Sequence, residues 1–329
     1  MSSPSFFFNH LLPLQDRPLI LGTRGSELAL RQTDMVMAAL REAQPDIQVE
    51  RKIISTVGDR RQDLRFIEFS QTGVVDKGIF VKELELALEA GEIDAAVHSL
   101  KDVPSELGAD FCVAATLPRA PIEDVLVSID GLKLKTLPAW CRIGTSSVRR
   151  IRQLTWMKPG AIPVEIRGNV PTRLRKLLDP ANELQGILLA RAGVERLGLL
   201  KGDTIELDGH TLHAEILPEH LFLPAAGQGA IAIETKSGDS ATRALLQTIN
   251  DANTFSRILA EREFLRLLGA GCQTPVGAVT WIEGAMLHMR VLVFDEKKPS
   301  AAPKEAQASS WIRQPLALAD SLAKQILAS

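Results

Sequence analysis

Residues 18–43 read "PLILGTRGSELALRQTDMVMAALREA". An apolar run from Leu19 stops at Gly22 and Thr23. From Ser26 onward the apolar residues recur with a helical period, and Ser26 stands where a helix N-cap belongs. A short apolar strand feeding a helix through a small-residue turn is the unit of an α/β fold. The same unit recurs. "VERKIIST" (49–56) reads as a strand, "GIFVKELELALEAGE" (78–92) as a helix closed by Gly91, and "IDAAVH" (93–98) as a strand. After Ile122 come "DVLVS", "CRIGTSSVRRIRQL", "VEIRGNVPTRLRKLL" and "GILLARAGVERLG". Strands that are nearly continuous apolar runs predict parallel sheets covered on both faces.

These repeats predict two doubly wound α/β domains. The first takes residues 1–117 and, through "LPAAGQGAIAIE" (223–234), a returning segment at 225–248; the second takes 118–224. The last 80 or so residues differ. "NTFSRILAEREFLRLLGAG" is an amphipathic helix, "VGAVTWI-EG-AMLHMRVLVF" a hairpin turning at Glu283–Gly284, and "LALADSLAKQILAS" a closing helix. Residues 249–329 are thus expected to form a small α+β domain, with "KKPSAAPKEAQASS" (297–310) as a loop.

The chain has 329 residues, 45% of them apolar, and a net charge of −2, so neither disorder nor a global field toward polyanions is implied. Its three cysteines, Cys112, Cys141 and Cys272, are too few for a disulfide framework and fit a reducing, cytoplasmic setting. The first residues read as a tail rather than a signal peptide. No 18-residue apolar stretch predicts a membrane span. Spacing of histidines and cysteines gives no metal signature.

Charge is concentrated where the junctions fall. Residues 142–196 hold eleven Lys/Arg against four Asp/Glu. Three strand-to-helix junctions place Arg24 and Ser26; Thr145, Ser147, Arg149 and Arg150; and Arg167 and Arg173 at helix starts. Free backbone N–H groups there attract anions, and arginine adds a planar fork matched to carboxylates. Ordinary capping explains the hydroxyls but not the arginines, which oppose the helix dipole unless an anion offsets them. The ligand should therefore be polyanionic. A fourth junction, "AAVHSLKDVPSEL" (95–107), brings Lys101 and Asp102; if it opens on the same crevice, Asp102 is the only carboxylate among the arginines. His98 reads first as a core histidine and second as a catalytic one. No nucleotide-binding glycine pattern occurs. In "LGAGCQTPVG" (268–277), Cys272 sits among glycines, so either the backbone turns sharply or a bulky group fits beside the sulfur.

"GTRGSELAL", "KGIFVKELE", "DAAVHSLKDVP", "GTSSVRR", "RGNVPTRL", "AGVERLG", "LPAAGQGA" and "GAGCQTPVGA", in this order, resemble the porphobilinogen deaminase (hydroxymethylbilane synthase) family. The resemblance implies two periplasmic-binding-protein-like α/β domains plus a third bearing a cysteine, here Cys272. That cysteine carries a dipyrromethane cofactor in thioether linkage. It also implies an enzyme that deaminates porphobilinogen, condenses four units head to tail on the cofactor, and releases the linear tetrapyrrole hydroxymethylbilane. The implied protein is a cytoplasmic monomer passing its product to a downstream cyclising synthase. Its catalytic aspartate falls on Asp102, thought to assist loss of ammonia and stabilise the azafulvene cation. Cofactor- and substrate-binding positions fall on Arg24, Ser26, Lys77, Lys101, Thr145, Ser147, Arg149, Arg150, Arg167, Arg173, Arg196 and Gln228. A lid is implied around Ser70–Lys77, with Gly73 where the family carries a further lysine.

Two other classes share part of this pattern. A non-catalytic anion-binding protein of the periplasmic type shares the architecture but needs neither Asp102 nor Cys272. A nucleic-acid-binding module lacks its stacking platform here: the chain has no tyrosine and 5% aromatic residues.

Overall fold

β1 (Leu19–Thr23) leads into α1 (Glu27–Ala43) as the opening stretch predicts. The Ser26 hydroxyl caps α1 by accepting the Ala29 N–H at 3.3 Å. Val36 and Leu40 of α1 are fully buried against the sheet, each contributing about 1.5–3 kcal/mol. This structure, a computed structural model, describes residues 17–56, 81–270, 274–298 and 301–328. Lys77, Cys272 and the Ser70–Lys77 lid lie outside the described residues.

β2 (Val49–Ile53) and β3 (Ala95–Ser99) flank β1 in parallel, and β4 (Phe111–Thr116) lies at the far edge of this first sheet. α2 (Lys82–Glu89) covers the face opposite α1, burying Leu84 and Leu88 with Ala96. β3 ends in a single 3₁₀ turn, Leu100–Asp102.

A second sheet takes β5 (Asp124–Ser128), β6 (Arg142–Gly144), β7 (Ile162–Val164), β8 (Gly186–Ala190), β9 (Leu200–Lys201), β10 (Thr204–Leu207) and β11 (His210–Leu217). Its order is β7-β6-β8-β5-β11-β10-β9. α3 (Val148–Met157) packs on one face through Leu154 with Leu126 and Leu188. α4 (Val170–Leu178) and α5 (Arg191–Arg196) pack on the other, through Leu174 and Val194.

The chain then returns. β12 (Ile231–Lys236) slots between β3 and β4 in the first sheet, followed by α6 (Ser240–Gln247). Two crossovers therefore run side by side between the sheets. The Ala120 N–H donates to the Gly229 carbonyl at 3.2 Å. Gly229 has φ +83°, and a Cβ there would stand 2.5 Å from the Ala120 carbonyl oxygen, so only glycine lets the strands approach this closely.

α7 (Ala252–Leu267) and α8 (Pro315–Ala328) cover one face of a third, antiparallel sheet of β13 (Val276–Glu283), β14 (Met286–Val293) and β15 (Lys304–Trp311). Its other face packs Val279, Leu292 and Phe294 against Leu223 of the second crossover. Arg119 on the first crossover forms a buried two-pronged ion pair with Glu261 of α7, at 2.7 and 2.9 Å.

Four expectations need correction. The sheets are mixed rather than parallel: β12 pairs antiparallel with β3 and β4, and β5 pairs antiparallel with β8 and β11. Both arrive by crossovers from elsewhere instead of through a local helical connection, so nothing forces a parallel run. Second, the latter half of the expected loop, from Lys304, belongs to β15 (Lys304–Trp311). Its composition is poor for a strand, but eight residues in register with β14 satisfy its backbone. Third, the hairpin turns at Gly284–Ala285, one residue later than expected, with Gly284 at φ +59°. Fourth, the β9–β11 meander was not foreseen, since its strands are short and half polar.

Candidate active site

The carboxyl ends of β3, β6 and β8 deliver the expected residues. Ser99 ends β3, next to the turn carrying Lys101 and Asp102. β6 ends at Gly144, followed by Thr145 and Ser147 and then by Arg149 and Arg150 in the first turn of α3. β8 runs into α5, which ends at Arg196.

Ser147 caps α3, its hydroxyl accepting the Arg150 N–H at 3.5 Å. Ser26 does the same for α1, so both serines have a capping role. Thr145 is buried and accepts the Ser147 N–H at 3.3 Å. Arg24 lies half-buried at the β1–α1 junction. His98 is the core histidine of the two readings, 5% exposed with Nε2 2.8 Å from the fully buried Glu234 carboxylate.

The arginines at the start of α3 do require an anion, and the protein itself supplies one. Asp124, the first residue of β5, is fully buried. Because β5 runs antiparallel, Asp124 lies opposite Ala190 at the carboxyl end of β8. Its Oδ2 accepts Arg149 Nη1 at 2.7 Å. Its Oδ1 accepts Arg150 Nε and Nη2 at 3.1 and 2.7 Å and Gln228 Nε2 at 3.0 Å. Burial alone would raise its pKa, but the two guanidiniums outweigh that and hold it well below the usual carboxylate range. Asp102 is thus not the only carboxylate among the arginines, as the sequence suggested. The missed signal was an acid opening an otherwise apolar, fully buried strand, since a buried charge demands partners.

Asp102 differs from Asp124 in being exposed to water. Lys101 beside it also touches water, yet protein crowds it enough to lower its ammonium to about 8. A side chain lining an open crevice, reached by water yet flanked by protein, would satisfy both observations. Burial dominates that shift; Asp102 and Asp124 oppose it, while Arg150 and Arg149 add to it. These groups of the first and second sheets therefore share one electrostatic field. Arg173 joins it: burial and Arg150 lower its pKa to about 10, Asp102 opposes, and Arg167 adds to the lowering. Arg173 Nε donates to the Gly168 carbonyl at 2.7 Å, and Arg167 Nε to Glu165 at 2.8 Å. Burial likewise lowers Arg196 to about 10; its Nη2 donates to the Gly229 carbonyl on the second crossover at 2.7 Å.

Within this group of residues two buried donors have no hydrogen-bond partner, Arg149 Nε and Arg196 Nε. Orphaned buried donors on cations are costly unless an acceptor arrives. Together with Lys101 and Arg173, whose charges burial disfavours, they fit a ligand carrying several carboxylates. A dipyrromethane has that chemistry, so the residues present suit the group. Among the described residues no cluster of metal-ligating side chains occurs, and no helix is long and apolar enough to cross a membrane.

Comparison with known proteins agrees. Residues 19–244 match the family model "Porphobilinogen deaminase, dipyromethane cofactor binding domain", and residues 255–328 match "Porphobilinogen deaminase, C-terminal domain". The porphobilinogen deaminase of Syntrophomonas wolfei subsp. wolfei is 46% identical over 84% of this chain and 85% of its own length. That of Roseiflexus sp. strain RS-1 is 41% identical over 93% and 96%, and that of Moorella thermoacetica 40% over 94% and 92%. With both family models covering nearly all of the described fold, and relatives aligned over most of their own lengths, this chain belongs to the porphobilinogen deaminase family.

Proposed function

We propose that this chain is a transferase that deaminates porphobilinogen, joins four units head to tail on a dipyrromethane held by Cys272, and frees hydroxymethylbilane by hydrolysis. The observation that carries this reading is one exposed carboxylate, Asp102, in the electrostatic field of Lys101 and the half-buried Arg173. The bound cofactor would supply the nucleophilic pyrrole carbon to which the first unit is joined. Arg149, Arg150, Arg173 and Arg196 would hold acetate and propionate arms, with Arg24, Ser26, Lys77, Thr145, Ser147, Arg167 and Gln228 completing the binding surface.

As ammonia leaves porphobilinogen, positive charge develops on the substrate pyrrole. Arginines alone would repel it. Asp102 reverses the local sign, and preorganised charge of that kind lowers a barrier because it needs no reorganisation when the reaction occurs. Lys101, its pKa lowered to about 8, would bind an anion or exchange a proton with water in the cleft.

The three sheets support a domain division at 1–117 with 225–248, 118–224, and 249–329. A cytoplasmic monomer that hands its product to a cyclising synthase completes the reading. The non-catalytic anion-binding alternative is not favoured, because a carrier needs neither a cofactor-binding domain nor Asp102. Intact-mass measurement tests the proposal. The purified chain should exceed its sequence mass by two pyrrole units, Cys272→Ser should lack the increment and all activity, and Cys112→Ser and Cys141→Ser should keep both. A fully active Cys272→Ser variant would overturn it.

A further inference from the structure

Asp124 touches more of the binding machinery than any other carboxylate described, yet both of its oxygens are spent on protein. Arg149 Nη1 is anchored twice, on Asp124 and on the Leu223 carbonyl at 2.6 Å. Arg150 is anchored on Asp124 through Nε and Nη2 and on the Leu188 carbonyl through Nη1 at 3.0 Å. The Arg150 guanidinium, held at two separate edges, cannot rotate, and Arg149 is pinned at Nη1, so the directions of their remaining N–H groups are set before any ligand arrives. Gln228 extends the network: its Nε2 bonds both Asp124 and the Ile122 carbonyl at 2.6 Å, tying the arginine pair to both crossovers between the sheets.

We propose that Asp124 is the positioning residue of this site: it orients Arg149 and Arg150 toward the cleft and ties them to the crossovers through Gln228. This rests on the porphobilinogen deaminase reading above. Three features separate it from simple charge neutralisation. One acid faces two arginines, so a net positive charge is left for a ligand. The contacts are multidentate, which a neutraliser does not require. The carboxylate also stands at the N-terminal end of β5, the central strand of the second sheet, within reach of both side chains at the start of α3.

The test compares wild type with Asp124→Glu and Asp124→Asn by melting temperature, intact mass, and steady-state kinetics with porphobilinogen. Asp124→Glu retains the charge but displaces the carboxylate by one methylene, and the melting temperature reports whether the fold accepts it. Misplacement on the order of 1 Å costs roughly 10²-fold where geometry matters. The expected result is a KM raised ~10–100-fold for Asp124→Glu with kcat changed far less, and a strongly reduced fraction of chains carrying the two-pyrrole mass in Asp124→Asn. Wild-type KM and adduct occupancy in Asp124→Glu, with the adduct lost in Asp124→Asn, would show that Asp124 only neutralises charge; wild-type values in both would show that it does neither. A wild-type chain without the mass increment would instead overturn the functional reading, and this inference with it.

Discussion

Arg119 and Glu261 form a two-pronged ion pair, 2% and 0% exposed, that joins the first crossover to the helix leading toward Cys272. Glu261 also accepts the Gly227 N–H of the second crossover at 2.6 Å and the Thr280 hydroxyl of β13. One carboxylate therefore fastens both crossovers to the third sheet. Burial would raise its pKa, but Arg119 overrides burial and keeps it below the ordinary value.

Glu261→Gln keeps the shape and strands Arg119 as a buried, unpaired cation. Removing one partner of such a pair costs about 3–5 kcal/mol. The urea midpoint should fall accordingly, with an unchanged slope if unfolding stays two-state. A wild-type midpoint would mean that the desolvation cost of the pair cancels its attraction.

Asp102→Asn retains shape and loses charge. If Asp102 stabilises the developing cation, kcat should drop by ~10²–10⁴ while substrate still binds, and Asp102→Glu should keep partial activity. Equal kcat for Asn and wild type would make Asp102 merely a partner of Lys101.

Lys101 gives a pH signature. Its folded pKa is lowered to about 8, so the free protein loses this positive charge as pH rises through 8. A bound carboxylate favours the charged form, and affinity should therefore weaken above that pH. KM should rise between about pH 8 and 9.5 in wild type. Lys101→Arg, which stays protonated, should flatten the rise. A rise that persists in Lys101→Arg would assign the titration elsewhere.

Arg149→Leu and Arg173→Leu should separate stability from binding. Arg149 is paired with buried Asp124, which keeps Arg150 and Gln228, so its loss should cost about 1.5–3 kcal/mol of stability, the worth of one charge-assisted bond, as well as ligand affinity. No carboxylate partner is described for Arg173. Its replacement should leave the melting temperature close to wild type and cost about 1.5–3 kcal/mol of binding, the worth of a charge-assisted bond. Thermal melts beside KM values decide this; equal destabilisation by both variants would contradict it.

The α/β class, the strand-to-helix junctions and the crowding of arginines at helix starts were legible in the sequence, because hydrophobic period and capping chemistry are local properties. "DVLVS" and "GILLA" read as buried strands and are. Local reading also stated the electrostatic demand correctly: arginines in the first turn of α3 need an anion. It could not say which one. Asp124 lies 25 residues before Arg149, and Gln228 lies 104 after Asp124; only the antiparallel entry of β5 and the return of the chain bring them together. The same holds for β15, whose residues have weak strand preference and become a strand because β14 offers eight partners in register. Sequence by itself determined the alternating strand-to-helix units and which charges must be answered. Tertiary structure decided what answers them, because Coulomb attraction and backbone pairing depend on distance in space, and folding over long loops sets that distance.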